Sequence, residues 1–298
     1  MEIVDIKNAD AVTHAGVFHA DDVMAAAVLD CACGGKLRLA RVKQAGDIPE
    51  GFKGTVFDIG EGPLDHHQAG GAGARPDGTP YASAGLVWRR YGGKLMAAAG
   101  TPNPSRGMKR LDAKLMAPID ANDNGLRIKE REYALWRAIN AMNPAWNEKE
   151  RGRDEAFVEA AALAAAALRR EIAREKARQE AEDELVEKTR RAEGSVLVLD
   201  PWIPWEDAAA EGAMFEGINF VVYPSERGGW GLQCVPKPGD PMSQKIPIPG
   251  TLRGLPEKEY ALIGLPGIRF VHNRGYFAAA DTKEAALTLA GKIEREKH

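Results

Sequence analysis

Residues 154 to 193 divide the sequence. Phe157, Ala161, Ala164, Leu168 and Ile172 fall at intervals of 4, 3, 4 and 4, the spacing of one helical face. An alanine stripe continues through Ala173, Ala177 and Ala181 to Leu185. Charges of both signs fill the other positions, with Glu184–Lys188 and Glu187–Arg191 at favourable i,i+4 spacing. The pattern predicts a long, partly solvated helix over 151–194. It joins a first domain, 1–150, to a smaller one, 195–298. Its seam is mostly alanine and does not repeat as heptads, so a dimerising coil is the weaker reading, although a homodimer stays open.

The first domain alternates strands and helices. Ala11–His14, Leu37–Val42 and Thr55–Ile59 read as strands. Asp21–Leu29 reads as a buried helix, and Ala84–Tyr91 as a second helix stopped by Gly92. Such alternation argues for an α/β fold built on a doubly wound parallel sheet. Residues 69–79, AGGAGARPDGT, read as a flexible connection or lid. After Ser195 the runs SVLVLD, NFVVY, WGLQCV and IRFVH are β-rich, and a helix from Thr282 to Glu294 closes an α+β domain.

Composition removes several classes. The 298 residues carry 40 Lys and Arg against 43 Asp and Glu, a net charge of −3, which excludes a strongly basic nucleic-acid coat. Cys31, Cys33 and Cys234 make no disulfide framework and fit a reducing compartment, here the cytoplasm. Charges interrupt every apolar run well before the roughly 20 residues of a membrane span.

The chemistry concentrates in four pieces of the first domain: THAGVFHADD (13–22), VFDIG (56–60), PLDHHQ (63–68) and APIDANDNG (117–125). Each sets His or Asp beside an apolar run. In an open parallel sheet, ligands bind beyond the carboxyl ends of the strands. Crowded carboxylates repel one another unless protonated or neutralised by cations, and mixed His/Asp ligation suits Mn²⁺, Fe²⁺, Co²⁺ or Zn²⁺ better than Ca²⁺. Singly, each piece has a plainer reading: a satisfied His14, an Asp58 in a turn before Gly, a helix cap at Asp120. Together with Asp65-His66-His67 they point to a metal centre.

The same pieces resemble the melanocyte-proliferating-gene family of metal-dependent hydrolases, related to the DHH phosphoesterase superfamily. Thr13-His14 through Asp21 is similar to its opening signature, Asp65-His66-His67 to the DHH signature, and Ser83–Trp88 and Ile119–Gly125 to two further segments. Tyr223 to Pro236 fits the family in the second domain. The resemblance implies a two-metal phosphodiesterase, Mn²⁺ foremost. Its expected activity is that of a 3'-5' exonuclease hydrolysing RNA or short oligonucleotides through a metal-bridging hydroxide. One metal would take His14, His19 and Asp58. The other would take Asp21, Asp58, His66 and Asp120. His67 would face the phosphate and Asp65 would orient a histidine.

Two departures modify the expectation. Most DHH enzymes carry Asp where this chain has His19, on a loop one residue shorter. The less negative site should favour a nitrogen-preferring metal and accept a phosphodiester more readily. The glycine-rich G-G-x-H segment of the second domain is replaced by Phe277-Ala278-Ala279-Ala280-Asp281. Arg227, Trp230, His272, Asn273 and Arg274 are then the candidates for substrate contact there. The rivals are a small-molecule phosphatase or pyrophosphatase on the same metals and a non-catalytic, metal-stabilised nucleic-acid-binding protein.

Overall fold

Short apolar runs separated by helical segments produce a parallel sheet. The computed structural model describes residues 1–68, 71–126, 134–192 and 194–296, with the backbone alone at 241 and 242. Strands β1 (Glu2–Ile3), β2 (Ala11–His14), β3 (Arg38–Val42) and β4 (Thr55–Val56) form one parallel sheet in the order β1–β3–β2–β4. Parallel neighbours need a crossover, and α1 (Ala20–Ala32) supplies it between β2 and β3. Every residue of α1 from Ala20 to Asp30 is buried. It shares a core with Leu86, Val87 and Trp88 of α2 (Ser83–Ala98) and with Phe157, Ala160 and Leu168. Cover on several sides explains why α1 is apolar all round rather than striped. A thinner cluster of Val12, Ala40 and Val42 with Ile48, Phe52 and Ile59 lies apart from that core.

Further along, α3 (Pro104–Leu111), a π-helical turn (Asp112–Met116) and α4 (Ala117–Asp123) follow without a break, and α5 (Leu135–Asn140) comes next. The long helix α6 spans Arg153–Arg190. The chain divides into two compact units, Met1–Lys176 and Ala177–His298, and the division falls inside α6. In the second unit β5 (Val196–Val198), β6 (Phe220–Pro224), β7 (Trp230–Cys234), β10 (Ile268–Val271) and β11 (Phe277–Ala280) form a sheet ordered β10–β11–β7–β6–β5. It is antiparallel except for the β5–β6 pair. A hairpin of β8 (Pro236–Lys237) and β9 (Asp240–Gln244), helices α7 (Glu206–Glu211) and α8 (Glu257–Leu262), and the closing helix α9 (Lys283–Glu296) complete an α+β unit. Ala286, Leu289, Ala290 and Ile293 of α9 share a core with Phe220, Leu232 and Ala278.

Four details depart from the sequence pattern. Strand β4 stops at Val56 because the chain turns left-handed at Asp58, with φ 56°, and again at Gly60 and Glu61. Helix α2 runs through Gly92 to Ala98. A Cβ at Gly92 would stand 2.6 Å from the Trp88 ring, which is fully buried and donates Nε1–H to Met108 O at 3.0 Å. The glycine therefore makes room for an indole and ends no helix. On α6 the apolar face through Phe157, Ala161, Ala164, Leu168 and Ile172 is buried, but Ala173 and Ala177 are exposed while Glu175 and Gln179 are buried. Arg110 reaches Glu175 at 3.6 Å, so a charged pair takes the place of the stripe at Ala173 and Ala177, while Ala181 and Leu185 are buried as the pattern predicts. The glycine-rich loop is stapled by Arg75, described below. Its residues 69 and 70 lie outside the described residues.

Gly92→Ala tests the packing argument. Helix propensity alone would stabilise by about 1 kcal/mol, whereas overpacking against an immobile ring costs about 1–3 kcal/mol. Urea unfolding should show a net loss of stability, and a gain would refute the steric role.

Candidate metal centre

The centre is built at the carboxyl edge of the parallel sheet. β2 ends at His14, in register with Val42 of β3. The loop that follows is held by Arg41, whose side chain is wholly buried. Its Nε donates to His14 O at 3.2 Å and Nη2 to Gly16 O at 3.1 Å. Nη1 reaches Asp154 Oδ1 at 2.8 Å, and the guanidinium lies 4.4 Å from the Phe157 ring centroid. The Asn143 amide accepts from Phe18 N at 3.1 Å and donates to Phe18 O at 2.8 Å. The loop thereby delivers His19 to the start of α1, with Asp21 and Asp22 in its first turn, where the helix dipole favours carboxylates. Asp22 Oδ1 accepts from His19 N at 2.9 Å.

The turn after β4 delivers the rest. Asp58 N donates to Leu64 O at 3.1 Å, which closes the turn. Asp65 accepts from the backbone N–H groups of Glu61 at 2.7 Å, His66 at 2.7 Å and His67 at 3.1 Å. It also meets His67 Nδ1 at 2.7 Å. Asp65 is thus fully committed, and it fixes the aim of the His67 ring, whose side chain is 58% exposed.

Three groups of ligand atoms converge: His14 with Asp22 and Asp58; His19 with Asp21 and Asp123; and Asp58 with Asp65, His66 and His67. Within each group the atoms lie within 4.8 Å of one another, so each could hold a metal ion. His14 Nε2 is 3.2 Å from Asp58 Oδ2 and 3.3 Å from Asp22 Oδ2. His66 spans the groups, with Nδ1 3.3 Å from Asp58 Oδ1 and Nε2 2.8 Å from Asp123 Oδ2. Ser83, at the first turn of α2, donates its hydroxyl to Asp58 Oδ1 at 2.9 Å and its N–H to Asp21 Oδ2 at 3.3 Å.

The electrostatics follow from this crowding. Burial pushes Asp21 well above the usual carboxylate range, and Asp58, Asp123 and Asp22 push the same way. Burial raises Asp22 to about 7 despite the opposing charge of His14. For His14, burial disfavours the imidazolium, but the bond to Asp58 and the charge of Asp22 outweigh it and raise the ring to about 9. His66 behaves alike: its bonds to Asp123 and Asp58 overcome burial and raise it to about 10. Burial acts upward on Asp58 and Asp123, but His14 and His66 hold Asp58, and His66 and Asp21 hold Asp123, below the ordinary range. Yet Asp21 Oδ1 is buried without a hydrogen-bond partner, and Asp22 Oδ2 has only its ion-pair contact with His14. A buried carboxylate oxygen left bare costs about 1–3 kcal/mol or more, so the donor set fits cations that would supply the missing contacts.

Of the residues that the resemblance assigns, His14, His19, Asp21, Asp58, Asp65, His66 and His67 come together. Asp120 stands elsewhere. Its Oδ2 meets Arg75 Nη2 at 2.8 Å and its Oδ1 accepts from Gly85 N at 3.0 Å. Arg75 also pairs with Asp112 at 2.7 Å and lies 4.3 Å from the Tyr81 ring centroid. Burial raises Asp120 to about 7 against the pull of Arg75. One turn later on α4 it is Asp123 that meets His66. Asp22, Asp123 and Ser83 lie inside motifs quoted above without being singled out. The i,i+3 step from Asp120 to Asp123 was the available signal, but which carboxylate faces the site depends on Arg75, 45 residues away.

The second-unit candidates scatter. Arg227 lines a cavity of about 740 Å³ with Trp202, Tyr223 and Phe270. Arg274 lines another of about 510 Å³ beside Cys234 and Tyr276. Trp230 is half-buried, with Lys283 Nζ 5.8 Å from its ring centroid. His272 lies 4.5 Å from the Tyr276 ring and accepts from Arg274 N at 3.1 Å. Asn273 is exposed.

Buried acids and imidazoles gathered at the carboxyl edge of a parallel sheet define a class of α/β protein whose centre suits divalent cations. Residues 10–293 match the sequence model of a family described as "Uncharacterised protein family (UPF0160)", MYG1_exonuc, and the chain belongs to that family. It is similar to the MYG1 exonucleases of Rattus norvegicus and Homo sapiens. Each is 28% identical over 317 residues, covering 93% of this chain and 82% and 84% of those proteins. A MYG1 protein of Saccharomyces cerevisiae is 26% identical, covering 93% of both chains. No solved structure matches. Among the described residues no helix is long and apolar enough to cross a membrane.

The raised imidazoles set a pH dependence for metal-free protein. Stabilisation from His14 and His66 is complete below their ordinary value of about 6.5 and is lost as pH rises towards 9 and 10. Thermal melts in chelator should therefore fall between pH 6.5 and 9. With Mn²⁺ present the trend should weaken or invert, because ligation needs neutral imidazole. A flat profile in chelator would contradict the site electrostatics.

Proposed function

We propose that this protein is a metal-dependent phosphodiesterase, a 3'-5' exonuclease acting on RNA or short oligonucleotides with two divalent cations, Mn²⁺ foremost. The observation that carries the reading is the bare, buried Asp21 Oδ1 among three convergent acid–imidazole groups. The exonuclease names of the mammalian relatives support a nucleic-acid substrate. His14, Asp22 and Asp58 would hold one cation, and His19, Asp21 and Asp123 the other; His66 reaches from Asp58 of the first group to Asp123 of the second. Asp123 thus takes the place that the resemblance gives to Asp120, while Asp120 and Arg75 fix α4 against the start of α2.

Such cations, when bound, lower the pKa of water and withdraw charge from phosphoryl oxygens. The chain's own residues do the rest. Asp65, locked by three backbone N–H groups, holds His67 by Nδ1. The opposite nitrogen of that ring is then left for the substrate, and it donates to a phosphoryl or leaving oxygen when the ring is protonated. Ser83 keeps Asp58 oriented.

Metal analysis beside RNA digestion tests the reading. Wild-type protein should hold two Mn²⁺ ions and release nucleoside monophosphates. Asp58→Asn and Asp123→Asn should each lose at least one ion and lower turnover by about 10²-fold or more. Asp120→Asn should keep both ions. Loss of an ion from Asp120→Asn but not from Asp123→Asn would overturn the ligand assignment. Release of inorganic phosphate from small esters, with RNA left intact, would favour the phosphatase reading.

A further inference from the structure

We infer that Lys43 is a substrate-binding residue of the first unit, gripping a phosphate next to the one cleaved and so selecting oligonucleotides over isolated phosphodiesters. The inference rests on the phosphodiesterase reading above. A cavity of about 670 Å³ opens over the centre and is lined by His14, His19, Asp58 and His67. Among its described lining residues Lys43 alone bears a permanent positive charge, against Asp58, Glu61 and Asp65. The two buried arginines of the described first unit are already engaged. Arg41 is spent on carbonyls and Asp154, and Arg75 on Asp112 and Asp120.

Lys43 differs from both. It is exposed and makes no ion pair among the described residues. It is also placed by rigid structure. β3 ends at Val42, whose carbonyl accepts from Ala15 N at 2.6 Å. That bond ties the root of Lys43 to the loop carrying His14 and His19. The adjoining Gln44 is held by Asp47, with its backbone N and its Nε2 each 3.2 Å from that carboxylate. The ammonium therefore swings from a fixed point at the cavity rim.

Physical chemistry decides what it meets. Lys43 lines the cavity without an ion pair to its acids, Glu61 included, among the described residues, so its ammonium is available to an incoming anion. A second phosphodiester, one nucleotide from the scissile bond, supplies one. Val17, 51% exposed, and Ile59 line the same cavity and offer apolar surface to the intervening sugar or base. Lysine acts here as a mobile point charge, so arginine should substitute for it in part.

The test compares a short RNA with bis-(p-nitrophenyl) phosphate, which carries a single phosphate. In Lys43→Gln, KM for a trinucleotide should rise about tenfold with kcat within threefold of wild type, and the penalty on the single-phosphate ester should be under threefold. Lys43→Arg should recover most of the loss, and Mn²⁺ content and melting temperature should stay at wild-type values. Equal penalties on both substrates, a loss confined to kcat, or no change in KM would overturn the assignment. Wild-type protein inactive on both substrates would instead refute the phosphodiesterase reading.

Discussion

Asp21, Asp22 and Asp58 are buried together, with Asp123 half-buried beside them, and the rest of the first unit is arranged around that charge. Two like charges 4 Å apart repel by about 4 kcal/mol at an effective dielectric of 20, so such a group cannot ionise together without compensation. The fold offers three kinds. His14 and His66 lie against the acids, and those contacts raise both rings well above the ordinary imidazole range. Asp21 and Asp22 occupy the first turn of α1, and the α2 start gives Asp21 and Asp58 the Ser83 N–H and hydroxyl. What remains uncompensated, Asp21 Oδ1 above all, is the opening for cations.

Holding acids so close requires a rigid frame, and two buried arginines supply it. Arg41 fastens the His14–His19 loop to the start of α6, and Arg75 fastens the glycine-rich loop to the π-helical turn and α4. Neither reaches the centre itself. At Gly85, a Cβ would collide with the Asp120 carboxylate and with Arg75, so the close approach of α2 to that pair needs a residue without a side chain. Asp58 takes a left-handed conformation at a cost of about 1–2 kcal/mol, and its carboxylate meets His14, His66 and Ser83.

Much of this is legible in the residues themselves. The strands at Ala11–His14 and Arg38–Val42, the buried α1 and the length of α6 follow from local apolar periodicity, a property of neighbouring residues. The convergence of His14, Asp58 and the Asp65-His66-His67 run follows from where parallel strands end. What escapes is decided by contacts distant in sequence. Gly92 looks like a helix stop until Trp88 is seen packed on it. Ala173 and Ala177 look like a buried stripe until Arg110 draws Glu175 inward. Asp120 and Asp123 are equivalent in composition, and only Arg75 assigns one to structure and leaves the other to His66. Lys43 escapes for the same reason: that it makes no ion pair among the described residues is known only once its neighbours are.

Anomalous diffraction from a manganese-soaked crystal tests the central claim most directly. The account predicts two anomalous peaks about 3.5–4 Å apart, with Asp58 between them, His14 and Asp22 on one side, and Asp21 and Asp123 on the other. Density for one ion bound by Asp120, or for none while Asp21 keeps its bare oxygen, would contradict it.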